Sequence, residues 1–148
     1  MNVTGQRPLL VIEDNDHDYA ILEMCLRNVG VPNQLVRCAG GEEIDAYLKQ
    51  DFSSHSDIPT FIFLDLNLPG TEGRQVLNRL KLHPALAPVP VVVLTTSSRP
   101  RDVELSYKLG AAGFLTKPID LAKFETMVQH VADYWFSCVK LPESVGFE

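Results

Sequence analysis

Two continuous apolar runs constrain the fold most strongly. Residues 60–65 read Thr-Phe-Ile-Phe-Leu-Asp and residues 89–94 read Val-Pro-Val-Val-Val-Leu, so neither run alternates between apolar and polar side chains. A strand with apolar side chains on both sides of its pleat must be covered on both faces, as in a parallel sheet between two layers of helices. A chain of 148 residues suits one such domain. At that length it buries roughly 70% of its unfolded surface and needs no disulfide or structural metal to fold.

The rest of the chain alternates between strand-like and helix-like segments. Further strands are predicted at residues 8–13, 34–39 and 113–115, and helices at 15–29, 42–52, 72–82, 101–109 and 121–136. Strands that alternate with helices predict an α/β fold with a doubly wound, five-stranded parallel sheet and five helices. Ligands of such sheets bind at the carboxyl ends of the strands.

Charge and cysteine content narrow the class of protein. The net charge is −6 and no basic run is present, which argues against nucleic-acid binding. No apolar stretch approaches the length of a membrane span, and the first residues do not read as a secretory signal. Three widely spaced cysteines without a C-x-x-C pair favour reduced thiols in a cytoplasmic protein over a disulfide or a zinc site.

The predicted strands end in residues that suit phosphoryl chemistry. Three carboxylates, a hydroxyl and an ammonium follow strands one, three, four and five: Glu13, Asp14, Asp65, Thr95 and Lys117. Two carboxylates about 4 Å apart repel by roughly 4 kcal/mol at an effective dielectric constant near 20, so such a site favours a cation. Ligands that are all oxygen select Mg²⁺ or Mn²⁺. A carboxylate beside such an ion and a lysine can attack phosphorus and form an aspartyl phosphate.

Each of these residues alone has an ordinary structural explanation. An acidic pair after a strand is commonly a solvated turn or a helix cap, and Lys117 before a proline is commonly a surface turn. The glycine-rich motifs of nucleotide-binding folds are absent. It is the coincidence of such residues at four strand ends that indicates a site.

The order and spacing of these residues resemble the receiver domain of two-component response regulators over residues 8–136. The resemblance implies a flavodoxin-like fold with strand order 2-1-3-4-5, an N-terminal arm at residues 1–7 and a C-terminal tail at 137–148. It further implies that Asp65 accepts a phosphoryl group from a sensor histidine kinase. Asp14, Asp65 and the backbone carbonyl of Asn67 are then expected to ligate Mg²⁺ or Mn²⁺, with Glu13 acting through a metal-bound water.

The same resemblance assigns the switch residues. Thr95 is expected to move its hydroxyl toward the new phosphate, and Lys117 to pair with a phosphoryl oxygen from beside a cis peptide bond to Pro118. Phe114, three residues before the lysine, is the aromatic residue expected to change rotamer on activation. Asp65, Thr95 and Lys117 therefore form the expected catalytic set.

Finer motifs resemble small stand-alone regulators paired with phytochrome kinases. These are Val-Leu-Thr-Thr-Ser-Ser from residue 93, an insert after residue 82 and an aromatic end to the last helix. Only twelve residues follow position 136, so no output domain is expected. The resemblance also predicts a homodimer through helix four, strand five and helix five, with the contact residues Val103, Tyr107, Met127 and Tyr134. The alternative is a monomer with scattered surface tyrosines.

Other functions remain open at this stage. A chemotaxis-type or phosphorelay receiver shares the same motifs. An aspartyl-phosphate phosphatase commonly places a second Asp two residues after its nucleophile, whereas this chain has Asn67 there, which cannot give and regain a proton. We therefore expect a phosphoacceptor that assists its own phosphorylation and dephosphorylation, and not a turnover enzyme on an external substrate. A degenerate receiver that acts only as a scaffold is disfavoured by the complete set of acids, hydroxyl and lysine.

Overall fold

The computed structural model of the chain describes residues 7–142. Five strands form the main sheet: β1 (Leu9–Ile12), β2 (Leu35–Cys38), β3 (Phe61–Leu64), β4 (Val91–Thr95) and β5 (Gly113–Thr116). Five α-helices alternate with them: α1 (Asp16–Asn28), α2 (Gly41–Lys49), α3 (Gly73–Leu82), α4 (Pro100–Lys108) and α5 (Leu121–Ala132). The strand order is β2-β1-β3-β4-β5 and every pair is parallel, which confirms the predicted sheet.

The unbroken apolar runs form central strands that are buried on both faces of the sheet. Side chains at alternate positions of a strand point to opposite faces. In β3, Ile62 and Leu64 pack in a core with α2 and α3, whereas Phe61 and Phe63 pack in a second core with α1 and α5. All four are buried. The sheet is therefore covered on both sides, and buried carboxylates, Glu13 and Asp65, lie at its carboxyl edge.

Several local features differ from the sequence predictions. Helix α2 ends at Lys49, and Phe52 lies beyond it with its ring 5.4 Å from that of Tyr47. The last helix passes into wider π-helical turns over Asp133–Cys138. A hairpin of two-residue strands, Asn67–Leu68 and Thr71–Glu72, follows β3 and was not predicted, because two residues are too few to show a periodic pattern.

Arg7 joins the two ends of the described chain. Its side chain is buried and donates hydrogen bonds to the carbonyls of Ile58 (2.9 Å), Pro59 (2.8 Å) and Pro142 (3.1 Å). These contacts lie at the amino edge of the sheet, opposite the polar edge. The remainder of the predicted arm and tail, residues 1–6 and 143–148, lies outside the described residues.

None of the helices within residues 7–142 combines the length and the apolarity that crossing a bilayer requires.

Candidate functional site at the carboxyl edge of the sheet

The parallel strands bring the predicted acids to one place. Glu13 and Asp14 follow β1, and Asp65 follows β3, the neighbouring strand. Each offers a carboxylate oxygen, and these three oxygens all lie within 4.8 Å of one another. Glu13 and Asp65 are buried and Asp14 is half-buried. A compact set of oxygen donors with a net negative charge fits a hard divalent cation.

Asn67 lies next to the phosphoacceptor candidate. Its backbone N–H donates to Asp65 Oδ1 at 2.9 Å. Its side-chain amide donates to Thr95 Oγ1 at 3.1 Å and to Thr96 Oγ1 at 2.9 Å. Thr95 is fully buried at the end of β4, and the Asn67 amide links its hydroxyl to the segment that follows Asp65. This side-chain contact was not foreseen, because the resemblance assigns Asn67 only a carbonyl.

Lys117 reaches the acids from the end of β5. Its Nζ donates to Glu13 Oε1 at 2.6 Å, to Asp65 Oδ2 at 2.8 Å and to Asp18 Oδ2 at 3.0 Å. The lysine side chain is only 7% exposed. An ammonium has three N–H donors, so all three are engaged by carboxylates. The sequence assigns no role to Asp18, and its contact with Lys117 adds it to the site.

The peptide bond between Lys117 and Pro118 is trans, since residues 7–142 contain no cis peptide bond. The expected cis bond is therefore a wrong prediction. The trans bond still brings the lysine to Asp65, and its backbone N–H donates to the carbonyl of Thr95 at 2.7 Å.

Burial and neighbouring charges shift the pKa values of Glu13 and Lys117. Burial raises the pKa of Glu13 from 4.5 to about 7, and the charge of Asp65 acts in the same direction, against the hydrogen bond from Lys117. Burial alone lowers the pKa of Lys117, but its hydrogen bonds to Asp65, Glu13 and Asp18 outweigh this and raise it. The lysine therefore stays charged, and Glu13 without a metal holds a proton to a higher pH than an ordinary glutamate does.

The stability of the metal-free protein should fall as pH rises from about 4.5 to 7. Over this interval folded Glu13 binds a proton that the unfolded chain has released, so the folded state loses its advantage as that proton leaves. The loss amounts to at most roughly 3 kcal/mol. Urea denaturation in EDTA at several pH values measures it. Glu13→Gln should remove this part of the pH slope, and an unchanged slope in that variant would contradict the assignment.

Arg37 is a second residue that sequence reasoning missed. It lies on β2 and donates to the carbonyls of Glu13 (3.0 Å) and Asp14 (3.2 Å). Its guanidinium also pairs with Asp16 at 2.8 Å and lies 4.7 Å from the ring centre of Tyr19. The arginine on β2 thus fixes the backbone of the acidic turn after β1. A charged residue within a predicted strand was the sequence feature that could have pointed to this role.

The predicted switch and interface residues lie on β5, α4, α5 and the π-helical turns that follow α5. Phe114 is half-buried on β5, where it packs against the core formed with α2 and α3. Tyr107 is 51% exposed and Tyr134 is 53% exposed. Val103 is half-buried, and Met127 packs inward against the core of α1 and α5. The two tyrosines are therefore the most exposed members of the predicted contact set.

The fold and the acidic edge together define a receiver domain. The family model for the response regulator receiver domain matches residues 9–129, and the chain belongs to this family of signalling proteins. The response regulator Rcp1 of Synechocystis sp. is 37% identical over 135 residues, which span 90% of this chain and 92% of that protein.

Solved structures agree in fold. The phosphorylated cyanobacterial phytochrome response regulator RcpA superposes with a TM-score of 0.82 at 35% identity, covering 93% of this chain and 99% of that chain. The Mn²⁺-bound form of Rcp1 superposes with a TM-score of 0.81 at 36% identity, covering 92% of this chain and 99% of that chain. The acid cluster of this chain accordingly fits a divalent cofactor, Mg²⁺ or Mn²⁺, on its own donor chemistry and by its similarity to a metal-bound relative.

Proposed function

We propose that this chain accepts a phosphoryl group from a sensor histidine kinase onto Asp65 and thereby switches a protein-interaction surface. The observation that carries the proposal is the contact of Lys117 with Asp65 within a cluster of acids at one edge of the sheet. A buried carboxylate that is held by an ammonium and has metal ligands beside it is arranged for attack on phosphorus.

In the proposed reaction, an oxygen of Asp65 attacks the phosphorus of the kinase's phosphohistidine. The phosphorus–nitrogen bond breaks, and its electron pair remains on the imidazole. Lys117 stabilises the charge that spreads over the phosphoryl oxygens. Asp14, Asp65 and the carbonyl of Asn67 would hold the metal directly, and Glu13 through a water. When bound, the divalent ion offsets the repulsion among the acids and binds phosphoryl oxygens.

The proposed switch begins at Thr95. Its hydroxyl is held by the Asn67 amide at 3.1 Å, and a phosphoryl group on Asp65 would supply stronger acceptor oxygens nearby. Movement of the threonine toward the phosphate vacates space that Phe114 fills. The change reaches the surface of α4, β5 and α5, so one local charge biases a two-state element.

Treatment of the native chain with acetyl phosphate and Mg²⁺ tests the phosphoacceptor function. We expect an intact mass that is larger by one phosphoryl group, and peptide mapping that places it on Asp65. The same treatment with EDTA should give little product, because the crowded acids then repel the donor. Unmodified protein in Mg²⁺, or a label on another residue, would contradict the proposal.

Supporting features extend the proposal to the kinase and the compartment. The similarity to RcpA and Rcp1 over nearly their full lengths supports a phytochrome-type kinase as the phosphodonor. Cys25, Cys38 and Cys138 are free thiols, which supports a cytoplasmic location.

The amide of Asn67, two residues after the nucleophile, supports a phosphoacceptor and not a turnover enzyme. Faster phosphotransfer from a phytochrome kinase than from a chemotaxis kinase would separate the two receiver classes.

We also propose a homodimer through α4, β5 and α5. The support is the pair of exposed tyrosines, Tyr107 on α4 and Tyr134 in the π-helical turns that follow α5. The half-buried Val103 and Met127 would border the contact. Two-fold self-contact is the commonest way in which such a face is covered. Sedimentation at micromolar concentration should show a dimer for the native chain, and at least about tenfold weaker association for the variant Tyr107→Glu, Tyr134→Glu, because each change places a charge in an apolar contact.

Met24→Glu is the matched control for the dimer. Met24 is an exposed apolar side chain on α1, which is not one of the three elements of the proposed contact, so its replacement should leave the association unchanged. A native chain that stays monomeric with and without phosphate would overturn the dimer.

A further inference from the structure

Asp18 holds Lys117 from the helical side of the site. It lies in the first turn of α1, and its Oδ2 accepts from Lys117 Nζ at 3.0 Å. Its own backbone N–H donates to Asn15 Oδ1 at 2.9 Å, which fixes the helix start. Its side chain is 36% exposed, whereas those of Glu13 and Asp65 are 7% and 6% exposed. Asp18 is thus the outermost of the three carboxylates around the ammonium.

The three carboxylates that accept hydrogen bonds from Lys117 have different roles in the proposed phosphorylation. Asp65 becomes an acyl phosphate, and its oxygen that attacks phosphorus loses its charge. Glu13 belongs to the metal-binding acids. Within residues 7–142 the acid cluster comprises Glu13, Asp14 and Asp65, and Asp18 lies outside it. Asp18 is therefore the one carboxylate around Lys117 that has no other task in the proposed reaction.

We infer that Asp18 is a positioning residue, which anchors the Lys117 ammonium while the lysine exchanges Asp65 for a phosphoryl oxygen. This rests on the proposed function of Asp65. A lysine ammonium sits on a flexible stem of four carbons, so its position depends on the groups to which it donates hydrogen bonds. With one N–H fixed on Asp18, the ammonium needs only a small rotation to present another to the phosphate, and correct placement of such a group strongly affects rate.

Rates of phosphorylation by acetyl phosphate and Mg²⁺ test the anchor. Asp18→Ala should slow the reaction on the order of tenfold, because the lysine loses its fixed partner. Asp18→Asn keeps an acceptor oxygen in the same position and should recover most of the rate. Asp16→Asn is the matched control. It removes the same charge from the same turn, but Asp16 is 92% exposed and pairs with Arg37, so its rate should stay within about twofold of native.

A double-variant cycle separates anchoring from support of the helix. In a Lys117→Gln background, Asp18→Ala should cause no further loss of rate, since the group that it positions is gone. An equal loss in both backgrounds would show that Asp18 acts only on α1 and would overturn the inference. A native rate for Asp18→Ala would overturn it too, while leaving the phosphoacceptor function intact.

Amine labelling gives a readout that does not depend on phosphoryl transfer. Reaction of Lys117 with a small acylating ester, followed by mass spectrometry, should be several-fold faster in Asp18→Ala than in the native chain or in Asp16→Asn, because the released side chain samples solvent. Equal labelling of Lys117 in the three proteins would overturn the anchor, whether or not the native chain accepts a phosphoryl group.

Discussion

Asp65→Asn should lower phosphoryl uptake from acetyl phosphate by at least roughly a hundredfold, because an amide oxygen is a poor nucleophile. The variant should keep the local geometry. The new side chain can still accept the Asn67 N–H that Asp65 accepts at 2.9 Å, and still lies beside Lys117. It should also be at least as stable without metal, since one of several crowded charges is gone. Intact-mass kinetics and urea denaturation measure the two effects.

Glu13→Gln is the matched control for this loss. It also converts a buried site carboxylate into an amide, but it leaves the nucleophile in place. We expect this variant to be labelled slowly and completely, and Asp65→Asn to remain unlabelled over the same period. Complete labelling of Asp65→Asn would place the phosphoryl group elsewhere and remove the basis of the proposed switch.

Gly73→Ala should destabilise the fold by about 3 kcal/mol, at the upper end of what overpacking usually costs. Gly73 is the first residue of α3, and an added Cβ would clash with Leu66 Cα and lie 2.5 Å from Leu66 O. Both are backbone atoms, so the strain cannot be relieved by a side-chain rotation. Leu66 directly follows Asp65, so the displacement should also slow phosphoryl uptake.

Gly40→Ala is the control for Gly73→Ala. Nothing lies within 4 Å of a Cβ added at Gly40, and its backbone is extended. Alanine there should cost no more than about 1 kcal/mol, the usual difference between glycine and a poor cap at a helix start. Thermal or urea denaturation compares the two variants. Equal free energies of unfolding for Gly73→Ala and Gly40→Ala would show that α3 can move away from Leu66 at little cost.

The sheet and its reactive edge were predictable because they depend on local patterns. Unbroken apolar runs identify covered strands, and parallel strands end at the same edge, so Glu13, Asp65 and Lys117 had to converge. The contacts of Asp18 and Arg37 were not predictable in this way. Each depends on a long side chain that crosses from one element to another, at a distance that only the packed helices and strands determine.

Gly73 illustrates the same limit at the level of the backbone. Helix propensity alone favours alanine over glycine at that position. The opposing factor is the hairpin after β3, which brings α3 back against Leu66, and hairpin strands of two residues leave no periodic signal. The predictions for Asp65 and Asn67 located the site but not this close approach of α3 to Leu66.

The hydrogen bond from Arg7 to Pro142 makes the domain suitable for circular permutation. It holds residues 7 and 142 one side chain apart at the amino edge of the sheet, far from Asp65. A short peptide that joins them, in place of residues 1–6 and 143–148, would close the backbone into a ring, and the ring can be opened in the exposed loop at Ser53 and Ser54. Close chain ends commonly tolerate such circular permutation. The permuted chain would carry its new ends and its linker on the edge opposite the acids, which frees both ends for fluorescent reporters of the phosphorylated state.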